Sequence, residues 1–223
     1  MLKINEWWKD YPSECFWLEI TWRLDIGADL KAPQFAGDGE RETYSYTLLK
    51  YVSVGDIVFH YSTRHSSIIG YSIVDSEYFE DNIKWKALGT SAAKDEGEAY
   101  IRPGFKAGLR NFTEFSDPIS LNSLRTYSSN ILSKKNKMEK TEKGALYFPF
   151  SFDKKNLLKG AVQGYLVKFP QSIVSLFEQM QIIPIEQKTL SKVEGINLGS
   201  KYRKADENTA TSKRKPFDVD PDV

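Results

Sequence analysis

The sequence predicts an α+β domain built on a mixed sheet, and two observations indicate this class. Short runs of aromatic and β-branched residues, separated by turn residues, recur along much of the chain and are typical of strands. One later segment, residues 170–180, repeats its apolar residues at helical spacing, with Ile173, Leu176, Phe177 and Met180 on one face. We therefore expect several strands accompanied by a few helices.

Length and composition limit the possible classes of protein. The 223 residues allow one large domain, or one domain and a tail, and 40% of them are hydrophobic. With 31 Lys and Arg against 30 Asp and Glu the net charge is +1, so any contact with nucleic acid has to come from local basic patches. No apolar run approaches the ~20 residues of a membrane-spanning helix. The single cysteine, Cys15, excludes an intramolecular disulfide and predicts a cytoplasmic protein.

The first strand is predicted at residues 16–21, which read Phe-Trp-Leu-Glu-Ile-Thr. The pattern alone also fits a helix, but its short length and the Gly27 and Pro33 that follow favour a strand. Residues 29–43 are polar and contain glycine, so we expect a surface loop that leads into a short helix at 46–50.

The next elements are predicted to form a hairpin. After a Val-Gly-Asp turn at 54–56, the apolar runs 57–61 and 67–74 are separated by a short polar turn, so they should pair as antiparallel strands. Aromatic residues predict two further strands, at 109–115 and at 147–150. Pro149 excludes a central place in the sheet for the second of these, because proline cannot donate a ladder hydrogen bond. Residues 118–124 are predicted as a strand end or a helix start.

Two segments are unusually charged. Residues 133–143 carry five lysines against two glutamates, and we interpret them as a mobile basic loop that is either simply solvated or in contact with phosphates. Residues 191–223 have few large apolar side chains and alternate in charge, which is the composition of a linker.

No convincing catalytic or metal-binding cluster is visible in the sequence. His60 and His65 flank a turn without a third ligand at metal spacing. Nucleophile elbows, glycine-rich phosphate loops and zinc-protease motifs are absent.

Aromatic residues, 13% of the chain, instead stand at predicted strand ends, where they could surround a pocket mouth. A nucleobase held outside its stack needs aromatic faces around it and polar groups at its edge. Each of these rings could equally belong to the core. The hypothesis of a base-binding pocket therefore depends on their joint position.

The segments 44–46, 54–61 and 69–74 together resemble the EVE family, a branch of the PUA-like superfamily that also contains the YTH readers of methylated adenine. A closer resemblance involves the first strand, residues 102–104 (Arg-Pro-Gly) and residues 146–150 (Leu-Tyr-Phe-Pro-Phe). With residues 163–166, these are similar to the N-terminal part of EVE–HNH proteins, which are modification-dependent restriction endonucleases.

This resemblance implies a PUA-like fold, a mixed and mostly antiparallel β-barrel flanked by helices. Residues 1–190 would form the reader domain, and residues 191–223 would be the linker that precedes an HNH nuclease, whose His-Asn-His segment this chain lacks. The implied function is recognition of 5-methylcytosine or 5-hydroxymethylcytosine in double-stranded DNA. The base would be flipped into an aromatic cage, and the domain would target a type IV HNH restriction endonuclease.

The site residues follow from the same resemblance and from the aromatic pattern. The expected modified-base site comprises Trp22, Tyr44, Ser45, Tyr61, Trp85, Asn111 and Phe112. The expected contacts to the DNA backbone come from Arg23, Arg64, Arg110, Arg125, Lys134, Lys135 and Lys137. Ser45 fits either a bond to the base edge or a cap of the helix that follows it.

No cofactor is expected in this chain. A divalent metal would belong to the HNH nuclease. A homodimer could also form through that nuclease. Two alternatives stay open: a YTH-type reader of modified RNA, and an enzyme that processes a nucleotide or small molecule in the same pocket. The missing acid–base pair argues against the enzyme.

Overall fold

Strands make up most of the computed structural model, which describes residues 5–11, 13–35, 42–86, 99–142 and 146–181. The strands are β1 (Phe16–Thr21), β2 (Asp29–Pro33), β3 (Ile57–Ser62), β4 (Ser67–Val74), β5 (Phe79–Trp85), β6 (Tyr100–Ser120), β7 (Phe150–Phe152), β8 (Leu158–Ala161) and β9 (Leu166–Lys168). The α-helices are α1 (Tyr44–Thr47), α2 (Leu121–Thr126), α3 (Ser128–Thr141), α4 (Gln171–Val174) and α5 (Glu178–Gln181). Short 3-10 turns lie at Trp7–Asp10 and Leu48–Tyr51. The predicted linker at 191–223 lies outside the described residues.

Seven strands form one curled, mostly antiparallel sheet in the order β2-β6-β4-β3-β1-β9, with β5 also paired to β6. Only β1 and β3 run parallel among the strands that the structure describes. Strand β6 connects the two parts, because its first half pairs with β2 and β5 and its second half with β4. The result is an α+β half-barrel with small helices outside it, which confirms the predicted α+β class with a mixed, mostly antiparallel sheet.

Side-chain alternation gives the curled sheet two different faces. On the outer face, Phe16 and Leu18 of β1 pack with Phe59 of β3, Ile131 of α3 and Leu158 of β8. On the inner face, the neighbouring positions Trp17 and Val58 pack with β2 and with the first half of β6. Because successive residues of a strand point to opposite sides, the same short strands supply both cores.

The first strand, the hairpin of β3 and β4, and the strand at 109–115, which is the middle of β6, are where the sequence predicts them. The predicted surface loop at 29–43 is wrong in part, because its first residues form β2 and pair with β6. The sequence does not predict strand β5: most of its residues are exposed and polar, and pairing with β6 holds it in place. The predicted helix at 170–180 is two helices, α4 and α5.

The predicted basic loop at 133–143 is wrong as far as residue 141, because this segment is the body of α3. Its residues are mostly good helix formers, Lys135 and Glu139 form an i,i+4 ion pair, and Ile131 is buried against the outer face. None of the helices in the described ranges is both long and apolar enough to span a bilayer.

Candidate nucleic-acid interface

A buried hydrogen-bonded group of four residues, here called the polar network, lies inside the half-barrel. His60 Nδ1 donates to Glu19 Oε2 at 2.7 Å, and His60 Nε2 lies 2.9 Å from Ser72 Oγ. The hydroxyl of Tyr165 donates to Glu19 Oε1 at 2.9 Å and accepts from the backbone N–H of Lys31 in β2 at 2.9 Å. Tyr165, just before β9, therefore links the two edges of the sheet.

Strand alternation explains why these polar groups meet. Glu19 and His60 share the inner face with Trp17 and Val58 and are directly paired across β1 and β3. Each buried polar atom finds a partner in the network, which offsets the cost of removing it from water. Burial also raises the pKa of the Tyr165 hydroxyl well above its usual value, so this group stays a neutral donor.

Ser72, His60 and Glu19 have the connectivity of a serine–histidine–carboxylate triad. All three side chains are fully buried, so a substrate cannot reach the Ser72 hydroxyl. The arrangement therefore holds β1, β3 and β4 together. In the described part of the chain, no three His, Cys, Asp or Glu side chains form a group that could hold a metal ion.

Arg23 covers the network from the end of β1. Its guanidinium lies 3.7 Å from Glu19 Oε1, forms two 2.9 Å hydrogen bonds with the Asp25 carboxylate and also pairs with Asp29. The hydrogen bond from Arg23 lowers the pKa of Asp25 below its usual range. Three carboxylates therefore already surround the Arg23 guanidinium, and its contact with a DNA phosphate stays a prediction.

Phe112 lies directly above the network on a β-bulge of β6. The register between β4 and β6 shifts between Tyr71 and Ile73, and Asn111, opposite this shift, has a φ of 55°. Bulges redirect side chains next to functional sites. Here the bulge places the Phe112 ring edge-on to the His60 ring at 5.6 Å, while 39% of the phenylalanine is exposed.

Gly27 allows the loop after β1 to approach this ring. Its φ is +84°, and a Cβ atom at this position would stand 2.7 Å from Phe112. Only glycine adopts this conformation readily while leaving room for the ring.

Trp22 begins the same loop and is 47% exposed. The Arg64 guanidinium carbon lies 4.6 Å from the centre of the indole, and Arg64 Nε donates to the carbonyl of Trp22 at 2.9 Å. Trp22, Arg64, Asn111 and Phe112, four of the predicted residues, thus surround the loop at the polar end of the half-barrel interior. We call this surface the polar mouth.

The other predicted aromatics belong to a different cluster. Trp85 packs edge-to-face on Tyr165 at 5.6 Å and on Tyr46 at 5.6 Å. Tyr44 packs edge-to-face on Tyr147 at 5.5 Å. Burial raises the pKa of Tyr44, and raises that of Tyr147 to about 12.

Among the described residues, no ring contact joins any two of Trp22, Tyr44 and Phe112, and the cage of these three side chains stays a prediction. Tyr61 is buried in the outer-face core with Ile68 and Phe115 and does not belong to the polar mouth. Ser45 is buried beside Tyr147 and makes no side-chain cap of α1.

Some of the remaining residues that are predicted to contact the DNA backbone already have partners within the protein. Arg110 pairs with Asp75 at 3.2 Å, and Arg125 donates to the carbonyls of Leu158 and Lys159, so both have structural partners. Lys135 pairs with Glu139 at 2.7 Å. Lys134 and Lys137 line surface grooves along α3.

The polar network is not apparent from the sequence analysis. One signal is present, because Glu19 is a charged residue inside an otherwise apolar strand. His60 holds the matching place in β3, and only the parallel pairing of these strands shows that the two side chains meet.

No protein-family model matches the chain. No curated protein matches it in sequence. Several solved structures are similar in fold. A protein from Pseudomonas putida has a TM-score of 0.39 at 11% identity, covering 78% of this chain and 99% of that one. The N-terminal domain of McrB from Staphylothermus marinus has a TM-score of 0.35 at 16% identity, covering 71% and 91%.

Human THYN1, solved in complex with DNA containing 5-methylcytosine, has a TM-score of 0.34 at 12% identity, covering 77% of this chain and 96% of that one. At this level of similarity, these structures assign no ligand to the chain.

Proposed function

We propose that this domain is a reader of modified bases in double-stranded DNA and that it holds the base at the polar mouth. The observation that carries the proposal is the pair of half-exposed rings, Trp22 at the start of the loop after β1 and Phe112 against Gly27 of the same loop, next to the polar network. Each ring leaves part of its surface open to solvent, where a flat ligand can stack.

The chemistry of a nucleobase fits this surface. Its flat faces stack on aromatic rings, with ~1–3 kcal/mol gained for each stacked base. Arg64 already stacks on Trp22, so a planar cationic group is accommodated on the indole. Asn111 on the bulge offers an amide that can both donate to and accept from a base edge.

The finer points extend the proposal and rest on the EVE–HNH resemblance. The base is a modified cytosine, 5-methylcytosine or 5-hydroxymethylcytosine, which leaves the duplex by flipping because its edge is otherwise paired. The domain delivers an HNH nuclease to such sites. The identity of the base and the link to a nuclease do not depend on the geometry of the polar mouth, and each can be disproved while base binding at the mouth stands.

The direct test compares affinities of the chain for one DNA duplex that carries cytosine, 5-methylcytosine or 5-hydroxymethylcytosine. Modified and unmodified RNA of matched sequence are further ligands. We expect tighter binding to a modified DNA duplex than to the unmodified one. A 2-aminopurine beside the modified base should brighten on binding if the base flips. Equal affinity for all DNA duplexes would contradict the proposal, and preference for modified RNA would support the YTH-type alternative.

A further inference from the structure

A polar groove of about 620 Å³ lies between α3 and the tip of the β7–β8 hairpin. It is lined by Ser129, Leu132, Ser133, Asn136, Lys137, Lys140, Lys155, Asn156 and Leu157. Three of these nine residues are lysines, and none is an aspartate or a glutamate. We refer to it as the α3 groove.

From this groove we propose a second DNA contact, in which the α3 groove binds the phosphate backbone. The inference rests on the proposed function for its choice of DNA as the polyanion. It replaces the predicted basic loop with a preformed surface, and adds Lys140 and Lys155 to the residues that the sequence analysis selects.

The acidic side chains near the groove have other partners. Glu139 forms an ion pair with Lys135 at 2.7 Å. Asp153 Oδ1 accepts hydrogen bonds from the backbone N–H groups of Lys155 and Leu157 at 2.8 and 2.9 Å. These bonds shape the hairpin tip. The lysines are the charged side chains that line the groove itself.

The groove is also held in a fixed shape before any ligand binds. Ser128 Oγ accepts from the N–H of Leu158 at 2.9 Å and donates to the carbonyl of Asn156 at 3.4 Å, which fastens the hairpin tip to the start of α3. The hydroxyl and amide groups of Ser129, Ser133 and Asn136 supply donors of the kind that phosphate oxygens accept.

The groove and the polar mouth belong to different faces of the sheet. Ile131 of α3 and Leu158 of β8 pack on the outer face with Phe16 and Phe59. Glu19 and His60 occupy the inner face. Contacts in the groove should therefore act on DNA irrespective of the base that is held at the mouth.

The test removes two lysines with the variant Lys140→Gln/Lys155→Gln. Phosphate contacts displace counterions, so the slope of log affinity against log salt should become shallower by ~0.9 for each phosphate interaction removed, or ~1.8 for both. Modified and unmodified duplexes should lose affinity by the same factor. The matched control is Lys9→Gln/Lys106→Gln, which removes equal charge from lysines already paired with Glu6 and Asp81.

A second variant, Ser133→Glu, keeps every lysine and places a carboxylate inside the groove. It should weaken both duplexes as well, with an unchanged melting temperature because the site is on the surface. Unchanged affinity and salt slope in both variants, or a loss of affinity no larger than that of the control, would overturn the inference. So would a loss confined to the modified duplex.

This outcome is separable from that of the proposed function. If the wild-type chain does not discriminate between the duplexes but the groove variants still weaken binding, the proposed reader function fails and the DNA contact stands. If the wild-type chain discriminates between the duplexes and the groove variants bind normally, the proposed reader function stands and the DNA contact at the α3 groove fails.

Discussion

The two ends of the half-barrel interior are built by the same strands but differ in chemistry. At one end Trp17 and Val58 pack in a mainly apolar core with Leu48 and Leu166, and the Trp17 indole N–H donates to Asp56 at 2.7 Å. At the other end the next inward positions, Glu19 and His60, form the polar network. Two residues farther along β1 and β3, the side chains on the inner face thus change from mainly apolar to polar.

This difference indicates where a ligand can be recognised. The apolar end is closed by large side chains, including Trp8, and contributes stability by burial. The polar end fixes the backbone under Phe112 and Trp22 without filling the space above them. A rigid support beneath exposed rings is the arrangement that a stacking ligand requires.

The variant Glu19→Ala should show the largest difference in stability between the two ends. Glu19→Ala leaves the His60 imidazole and the Tyr165 hydroxyl buried without their acceptor, and truncating one partner of such a pair costs ~3–5 kcal/mol. Val58→Ala at the apolar end removes two methyl groups, which should lower the free energy of unfolding by ~0.8 kcal/mol for each buried carbon. Urea unfolding of both variants measures the difference. If Glu19→Ala is no more destabilising than Val58→Ala, the polar network does not hold its end together.

Gly27 offers a sharper and smaller perturbation of the polar mouth alone. Gly27→Ala forces an alanine into a left-handed conformation, at ~1–3 kcal/mol, and places its Cβ against Phe112. Gly55 is a matched control, since its φ is +90° but a Cβ there would meet nothing within 4 Å. We expect Gly27→Ala to lower the free energy of unfolding more than Gly55→Ala does. Equal decreases would mean that the ring moves aside freely.

Local patterns predict a good part of this fold. The strand at 16–21 and the hairpin of β3 and β4 are predictable because apolar runs separated by turn residues specify strands. Strand β2 is not, because Asp29–Pro33 is short and ends in a proline, and it becomes a strand only through its pairing with β6. The helix α3 is hard to distinguish from a loop in the sequence. It is rich in lysine and has one deeply buried apolar residue, Ile131, so it shows no repeating apolar face.

The site is less predictable than the fold. The sequence pattern places Trp22 and Phe112 near strand ends, and both are exposed rings in the structure, whereas Tyr44 packs on Tyr147. The bulge at Asn111 and the contact between Glu19 and His60 depend on register between distant strands. No local pattern contains that information.

The central claim, that Trp22 stacks on a modified base, is tested most directly by the variant Trp22→Ala. The quantity to measure is the ratio of its affinities for modified and unmodified duplexes, with Phe79→Ala as the control because Phe79 is a similarly exposed ring, at 46%, on β5. We expect Trp22→Ala to lose ~1–3 kcal/mol of discrimination with little change in melting temperature, and Phe79→Ala to keep the wild-type ratio. Full discrimination by Trp22→Ala, or an equal loss in Phe79→Ala, would contradict the account.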